Sequence, residues 1–363
     1  MIPVSQPTIS HEDIQAVTDA VSSGWVSSLG HYIDRFEQEF ADFCGVRHCV
    51  STANGTVAIH LALKVLGIGE GDEVIVPDLT FVATANAVVL AGATPVMADV
   101  RRSDWCLDPE LVERLITSRT RAIIPVHLYG HPSEMDELRA IAEARGLKLI
   151  EDAAEAHGAE YHGRRVGGLG DCATFSFYGN KIITTGEGGA LTTHSAEVAE
   201  RARFLRDHAM SKDRRYWHTE VGYNYRMSNL QAALGVAQLG RIGSFIAERD
   251  RILETYRHYL ASDQLILNPR LAGTRPVNWI TCVLLGKVDR EGRDRAMGRL
   301  REQGIDSRPF FYPLTALPMY ARGTNPVSAD LSARGLNLPT YPGLKEEEIK
   351  TIAQRLLEAI QAQ

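Results

Sequence analysis

Between residues 73 and 193, short apolar, β-rich runs alternate with helical stretches, and this alternation limits the fold more than any other feature of the chain. The runs fall at 73–76, 95–100, 122–128, 147–151, 173–177 and 189–193, with helical patterns near 81–91, 108–116 and 133–145. Strands apolar on both faces and separated by helices predict a mostly parallel sheet covered by helices. Residues 31–43 read as an amphipathic helix with Ile33, Phe36, Phe40 and Phe43 on one face. The run 57–63 is apolar almost all round and reads as a buried helix. Residues 195–209 and 228–260 also read as helices. After about residue 260 the pattern changes to a strand at 277–287, a helix at 290–303, a proline-rich stretch and a last helix carrying Ile349, Ile352, Leu356 and Ile360. The expectation is a large mixed, mostly parallel α/β domain over 1–250 and a smaller C-terminal α/β domain over 251–363.

The 39 basic and 45 acidic residues leave a net charge of −6, which argues against nucleic acid and anionic membrane as partners. No apolar run approaches the roughly 18 residues that span a bilayer. The first residues lack the basic-then-apolar pattern of a signal peptide. The five cysteines are scattered without zinc spacing and read as reduced, so a cytoplasmic protein is expected.

Three segments could carry chemistry. Asn54-Gly55-Thr56 opens a helix, where free N–H groups and the helix dipole favour an anion, although such residues also serve as simple caps. Walker and G-x-G-x-x-G motifs are missing, which disfavours triphosphate and dinucleotide binding. In 149–158 an apolar strand runs into Asp152, Glu155 and His157; ligands of open α/β sheets sit beyond such strand ends. Asp152 could instead cap the next helix. The spacing is not that of a metal site, so no metal is expected. In 174–189, Lys181 follows a buried strand and precedes a glycine-rich turn. It is either solvated or a Schiff-base nucleophile kept neutral by desolvation. Together these pieces suit pyridoxal 5′-phosphate (PLP), which needs a lysine, a carboxylate for its ring nitrogen and a phosphate cup. Phe81 could supply an aromatic face over the ring.

These residues, with Gly24–Gly30, Val126–Pro132, 216–218, 222–229 and 311–320, carry a resemblance to the DegT/DnrJ/EryC1/StrS family of sugar-nucleotide aminotransferases. The resemblance spans nearly the whole chain. It implies the PLP-dependent transferase fold type I, the aspartate-aminotransferase-like fold. Lys181 matches the lysine that carries the cofactor and moves protons, and Asp152 the partner of the ring nitrogen. Gly55, Thr56 and Ser176 match phosphate contacts, and Phe81 matches the ring-stacking residue. Glu155 stands where many members carry Gln, near the ring hydroxyl. Asn224 matches a residue that reaches the phosphate from a second subunit, which implies a homodimer with shared active sites. Trp25, Ser27, Ser28, Arg308 and Tyr312 lie in segments that line the sugar-nucleotide pocket; Trp25 and Tyr312 read equally well as interface or core aromatics.

The implied reaction passes an amino group from L-glutamate, by way of pyridoxamine 5′-phosphate (PMP), to carbon 4 of a GDP-linked 4-keto-6-deoxy sugar. Related 3-dehydratases carry His in place of the lysine, so Lys181 favours transamination. The alternatives are amination at carbon 3, a dTDP- or UDP-linked substrate, or a PLP-binding regulator without turnover. Lys212-Asp213-Arg214-Arg215 reads as a solvated loop or a diphosphate contact, and His127 and His131 read as structural.

Overall fold

Seven strands form the central sheet, in the order His48–Thr52, Gly189–Thr193, Cys172–Ser176, Lys148–Asp152, Thr120–Ile123, Glu73–Pro77, Thr94–Ala98. Gly189–Thr193 runs against both its neighbours, and the other six strands share one direction. The mostly parallel sheet read from the alternating pattern is therefore present in this computed structural model, which describes residues 1–286, 288–321 and 323–361. Parallel strands sharing a direction bring their carboxyl ends to one edge, where a ligand site is expected.

The differences from the sequence reading have local causes. The 228–260 helix is two helices, Asn229–Leu239 and Ile242–Tyr259. Arg241 leaves helical dihedrals between them, and its guanidinium pairs with buried Asp13 on the first helix. The 122–128 strand is Thr120–Ile123, shorter at its far end because Pro125 has no N–H for the ladder. Val126 keeps only an isolated bridge to Asp152. The 277–287 strand shrinks to Thr281–Leu285. The proline-rich stretch hides a helix, Pro326–Arg334, with Pro at its first position, and a buried strand, Gly335–Leu338. That strand pairs with Thr281–Leu285 in a second, four-stranded sheet. The helix Ile242–Tyr259 joins two cores: Ile242 and Phe245 pack with the large-sheet cluster, and Ile252 and Tyr256 with the C-terminal one.

The helix His31–Cys44 is fixed to the sheet by rings and by one carboxylate. Phe40 meets Phe175 and Phe177 edge-on at centroid distances of 4.9 and 5.1 Å. Glu37, buried on the same helix, accepts from Ser51 N at 2.9 Å and from Arg206 Nη1 at 2.6 Å, with Arg203 at 3.3 Å. Burial alone would raise its carboxyl pKa, but the Arg206 and Arg203 guanidiniums and the Ser51 amide more than offset it, and the pKa is lowered. Glu37→Ala leaves the arginines unpaired and is expected to cost about 3 kcal/mol, read as a fall in the urea midpoint. A lowered carboxylate stabilises the fold above its unfolded pKa and stops doing so as pH falls through its folded value. The gap between variant and parent should therefore narrow on acidification.

Candidate active site

The carboxyl edge of the sheet gathers an acid, a base and a hydroxyl from separate elements. Asp152 ends the Lys148–Asp152 strand and is buried. Its Oδ2 accepts from Thr84 Oγ1 at 2.8 Å and its Oδ1 from Ala154 N at 3.2 Å. Burial raises its pKa, partly opposed by these two donors and by Lys181. Glu155 follows one turn later, also buried; its Oε2 accepts from Tyr129 N at 2.8 Å. Burial pushes its pKa up to about 7, against the pull of Lys181 and the Tyr129 amide.

Lys181 sits in the turn after the Cys172–Ser176 strand, its N–H held by Tyr178 O at 2.9 Å. Its Nζ lies 3.7 Å from Glu155 Oε1 and 4.3 Å from the centre of the Trp279 ring. Burial lowers its pKa, while Glu155 and Asp152 oppose that shift. The structure thus brings Lys181, Asp152 and Glu155 into one desolvated cluster.

The helix Gly55–Val65 starts beside this cluster. Asn54 caps it, accepting from Val57 N at 3.0 Å. Gly55 has no side chain to spare: a Cβ there would lie 2.8 Å from Ser176 Cβ. Half-buried Thr56 and Ser176 therefore stand at a helix N-terminus with free donors, the geometry of an anion site. Phe81 is 55% exposed, its ring 5.7 Å from that of Phe311.

The other expected residues lie outside the cluster. Asn224 is exposed; its amide oxygen accepts from Arg226 at 3.3 Å, and the next residue's carbonyl is held by Ala53 N. Exposed Trp25 and Ser27 and half-buried Ser28 lie on a segment held by Asn229, which donates from Nδ2 to Trp25 O at 2.7 Å and from N to Ser27 O at 2.6 Å. Arg308 is exposed, and the Arg290 guanidinium lies 5.3 Å over the ring of Tyr312. Arg214 and Arg215 lie over Trp217 and Tyr216, at 4.4 and 5.0 Å.

Sequence reasoning missed several contributors. Tyr129 stacks between Trp279 and Phe311, with centroids 6.3 and 5.4 Å away, and its phenol oxygen accepts from Phe311 N at 3.1 Å. Trp279 Nε1 donates to Asn180 O at 2.7 Å and so fastens the turn that carries Lys181. Thr84 and Asn229 act from segments read only as helical, with no role given to either side chain. Tyr129 was visible inside the 126–132 segment, but nothing local marked its amide. Glu151, buried beside Asp152, accepts from Gly167, Leu169 and Gly170 N–H groups and from His127 Nε2. His127 Nδ1 in turn accepts from Ser133 N, so this histidine is a structural bridge. His157 packs against Phe175 and Phe177, and burial lowers its pKa to about 3, which keeps it neutral. Among the described residues no group of three His, Cys, Asp or Glu could hold a metal ion.

Residues 7–357 match the model of the DegT/DnrJ/EryC1/StrS aminotransferase family. A GDP-perosamine synthase of Caulobacter vibrioides is 46% identical over 360 residues, covering 98% of this chain and 97% of that protein. One from Vibrio cholerae is 44% identical over 356 residues, covering 97% of each. The solved structure of Streptococcus pneumoniae Spr1654 in its PMP-form superposes with a TM-score of 0.95 at 28% identity, covering 99% of this chain and 98% of that one.

The close approach of Gly55 to Ser176 yields a direct test. Gly55→Ala must push the helix start away from the strand, and overpacking of this kind costs about 1–3 kcal/mol. Affinity for PLP, measured by equilibrium absorbance titration, should fall about tenfold.

Proposed function

The chain belongs to the DegT/DnrJ/EryC1/StrS aminotransferase family, and from that premise we propose that it transfers the amino group of L-glutamate to carbon 4 of GDP-4-keto-6-deoxymannose, forming GDP-perosamine. The observation that carries this reading is the near-complete alignment with GDP-perosamine synthases at 46% and 44% identity. A lysine rather than a histidine at 181 supports amination over dehydration.

The enzyme is PLP-dependent, and its residues suit that group. The cradle that a Gly55 Cβ would fill, with Thr56 and Ser176 beside it, suits the phosphate. Asp152, buried with only neutral hydrogen-bond donors on its oxygens, suits a protonated ring nitrogen. Phe81 suits the ring face and Glu155 the neighbourhood of the ring hydroxyl. Bound there, the cofactor supplies an aldehyde to carry the amine and an electron sink when a carbon-bound proton departs.

The protein's own work is then to place protons and exclude water. Lys181 Nζ, disposed by burial toward the neutral amine, takes the proton from the donor's α-carbon and later delivers one to the sugar carbon. Asp152 would hold a negative charge toward a protonated ring nitrogen. Trp279 lies over the lysine and fixes its turn, with Tyr129 stacked against it. Trp25, Ser27, Ser28, Arg308 and Tyr312 are assigned to the sugar nucleotide.

In this reading the working unit is a homodimer, with Asn224 reaching the phosphate of the other subunit's site. The exposure of Asn224, Trp25, Val26, Leu29 and Val221 supports it. Residues 1–250 form the cofactor domain and 251–363 the small domain, with the helix Ile242–Tyr259 spanning the joint. No helix among the described residues is long and apolar enough to cross a membrane, and the enzyme is assigned to the cytoplasm, where its sugar nucleotide would be made.

Incubation with glutamate and a panel of GDP-, dTDP- and UDP-linked keto-sugars, read by product mass, tests the substrate. The GDP-4-keto-6-deoxy sugar should be the preferred acceptor; preference for a dTDP- or UDP-sugar would overturn the assignment. Lys181→Ala should lose at least about 100-fold in turnover, the low end for a general acid–base group.

A further inference from the structure

Glu155 does more than fill a cofactor contact, because its two oxygens are used differently. Oε2 is taken by the Tyr129 amide at 2.8 Å, while Oε1 points toward Lys181 Nζ at 3.7 Å, roughly 1 Å beyond hydrogen-bond length. The Tyr129 amide is delivered by a backbone in the left-handed region, φ +52°, which an L residue adopts only where its surroundings hold it. Four titratable groups face the Glu155 carboxyl: Lys181, Asp152, Tyr129 and Cys282. The Tyr129 phenol and the Cys282 thiol are fully buried, and burial keeps both neutral. Asp152 is a second acid, already bound by Thr84 and Ala154. Among the described residues, Lys181 is thus the base with which Glu155 can trade a proton.

With all three groups ionised, the cluster would bury two negative charges against one positive, which desolvation disfavours. A carboxyl that keeps a proton removes the imbalance, and burial raises Glu155 toward neutrality. A glutamine at this position could still accept from the Tyr129 amide, but it could neither hold a proton nor attract one to the lysine.

We propose that Glu155 is the proton-holding partner of Lys181. One proton passes between Glu155 Oε1 and Lys181 Nζ, breaking one O–H or N–H bond as the other forms, so the lysine becomes a free amine without exchanging a proton with bulk water. Glu155 acts here through Lys181 and is a positioning residue. The proposal rests on the functional reading above only in taking Lys181 as the working amine.

The test uses the full-length, cofactor-free protein treated with cyanate between pH 6 and 9, with carbamylation of Lys181 followed by peptide mass spectrometry. Only the neutral amine reacts. Glu155→Gln removes the negative charge that favours the ammonium, so the lysine pKa should fall and labelling at pH 7 should rise. A shift of one pKa unit gives about tenfold. The gap should narrow as the pH rises and both lysines lose their proton, and Glu155→Asp should restore slow labelling at pH 7. Equal or slower labelling of the Gln variant across the range would overturn the proposal. A purely structural role for Glu155 would leave the pH midpoint of labelling unmoved. Because this readout needs neither glutamate nor a sugar, its outcome is separable from any failure of the proposed transamination.

Discussion

Desolvation of one amine and two carboxyls at the carboxyl edge of a parallel sheet is the constraint on which the site depends. Burial works against the charged form of all three, raising Asp152 and Glu155 and lowering Lys181. Separately each would be a cost to folding. Placed together, the amine and the carboxyls oppose one another's shifts, while Asp152 adds to the rise of Glu155. This is how a fold turns burial, its main source of stability, into chemistry.

The cluster needs a rigid frame, and the frame is largely polar. Glu151, the neighbour of Asp152, ties the strand end to the 167–170 turn through three backbone amides and to His127. Trp279 comes from the C-terminal half and fastens the Lys181 turn, so the second half of the chain completes the first half's site. Asp78, after the Glu73–Pro77 strand, likewise binds Thr315 through its amide and hydroxyl. Asn229 ties Trp25, Ser27 and Tyr32 together, and Gly30 is tolerated there only without a Cβ, which would lie 2.3 Å from the Asn229 side chain. The hydrogen bonds of Asp78 and Asn229 join parts of the chain about 200 residues apart.

What the sequence disclosed follows from what is local. Asp152 and Lys181 stood out because each follows an apolar run that ends abruptly, whereas Ser176 was marked only by the family resemblance; the sheet then places all three at one edge. Gly55 was legible as a helix start, although its real constraint, the Cβ of Ser176, is a tertiary contact. Tyr129, Thr84 and Trp279 were not legible as site residues, since they reach the cluster by packing and in isolation look like core. The C-terminal strand Gly335–Leu338 was missed for a related reason. Four residues beside prolines carry no periodicity, and pairing with Thr281–Leu285 is what makes them a strand. The break at Arg241 escaped notice because helical periodicity continues across it, and the ion pair with Asp13 lies more than two hundred residues away.

In the proposed reaction this site moves nitrogen from glutamate to carbon 4 of a GDP-linked sugar. The most direct measurement follows ¹⁵N-labelled L-glutamate into the product formed from GDP-4-keto-6-deoxymannose by the PLP-loaded enzyme, with the nitrogen located by NMR. The expected result is ¹⁵N bonded to carbon 4 with an equal amount of 2-oxoglutarate. A product labelled at carbon 3, or an unlabelled sugar that has lost a hydroxyl, would contradict it.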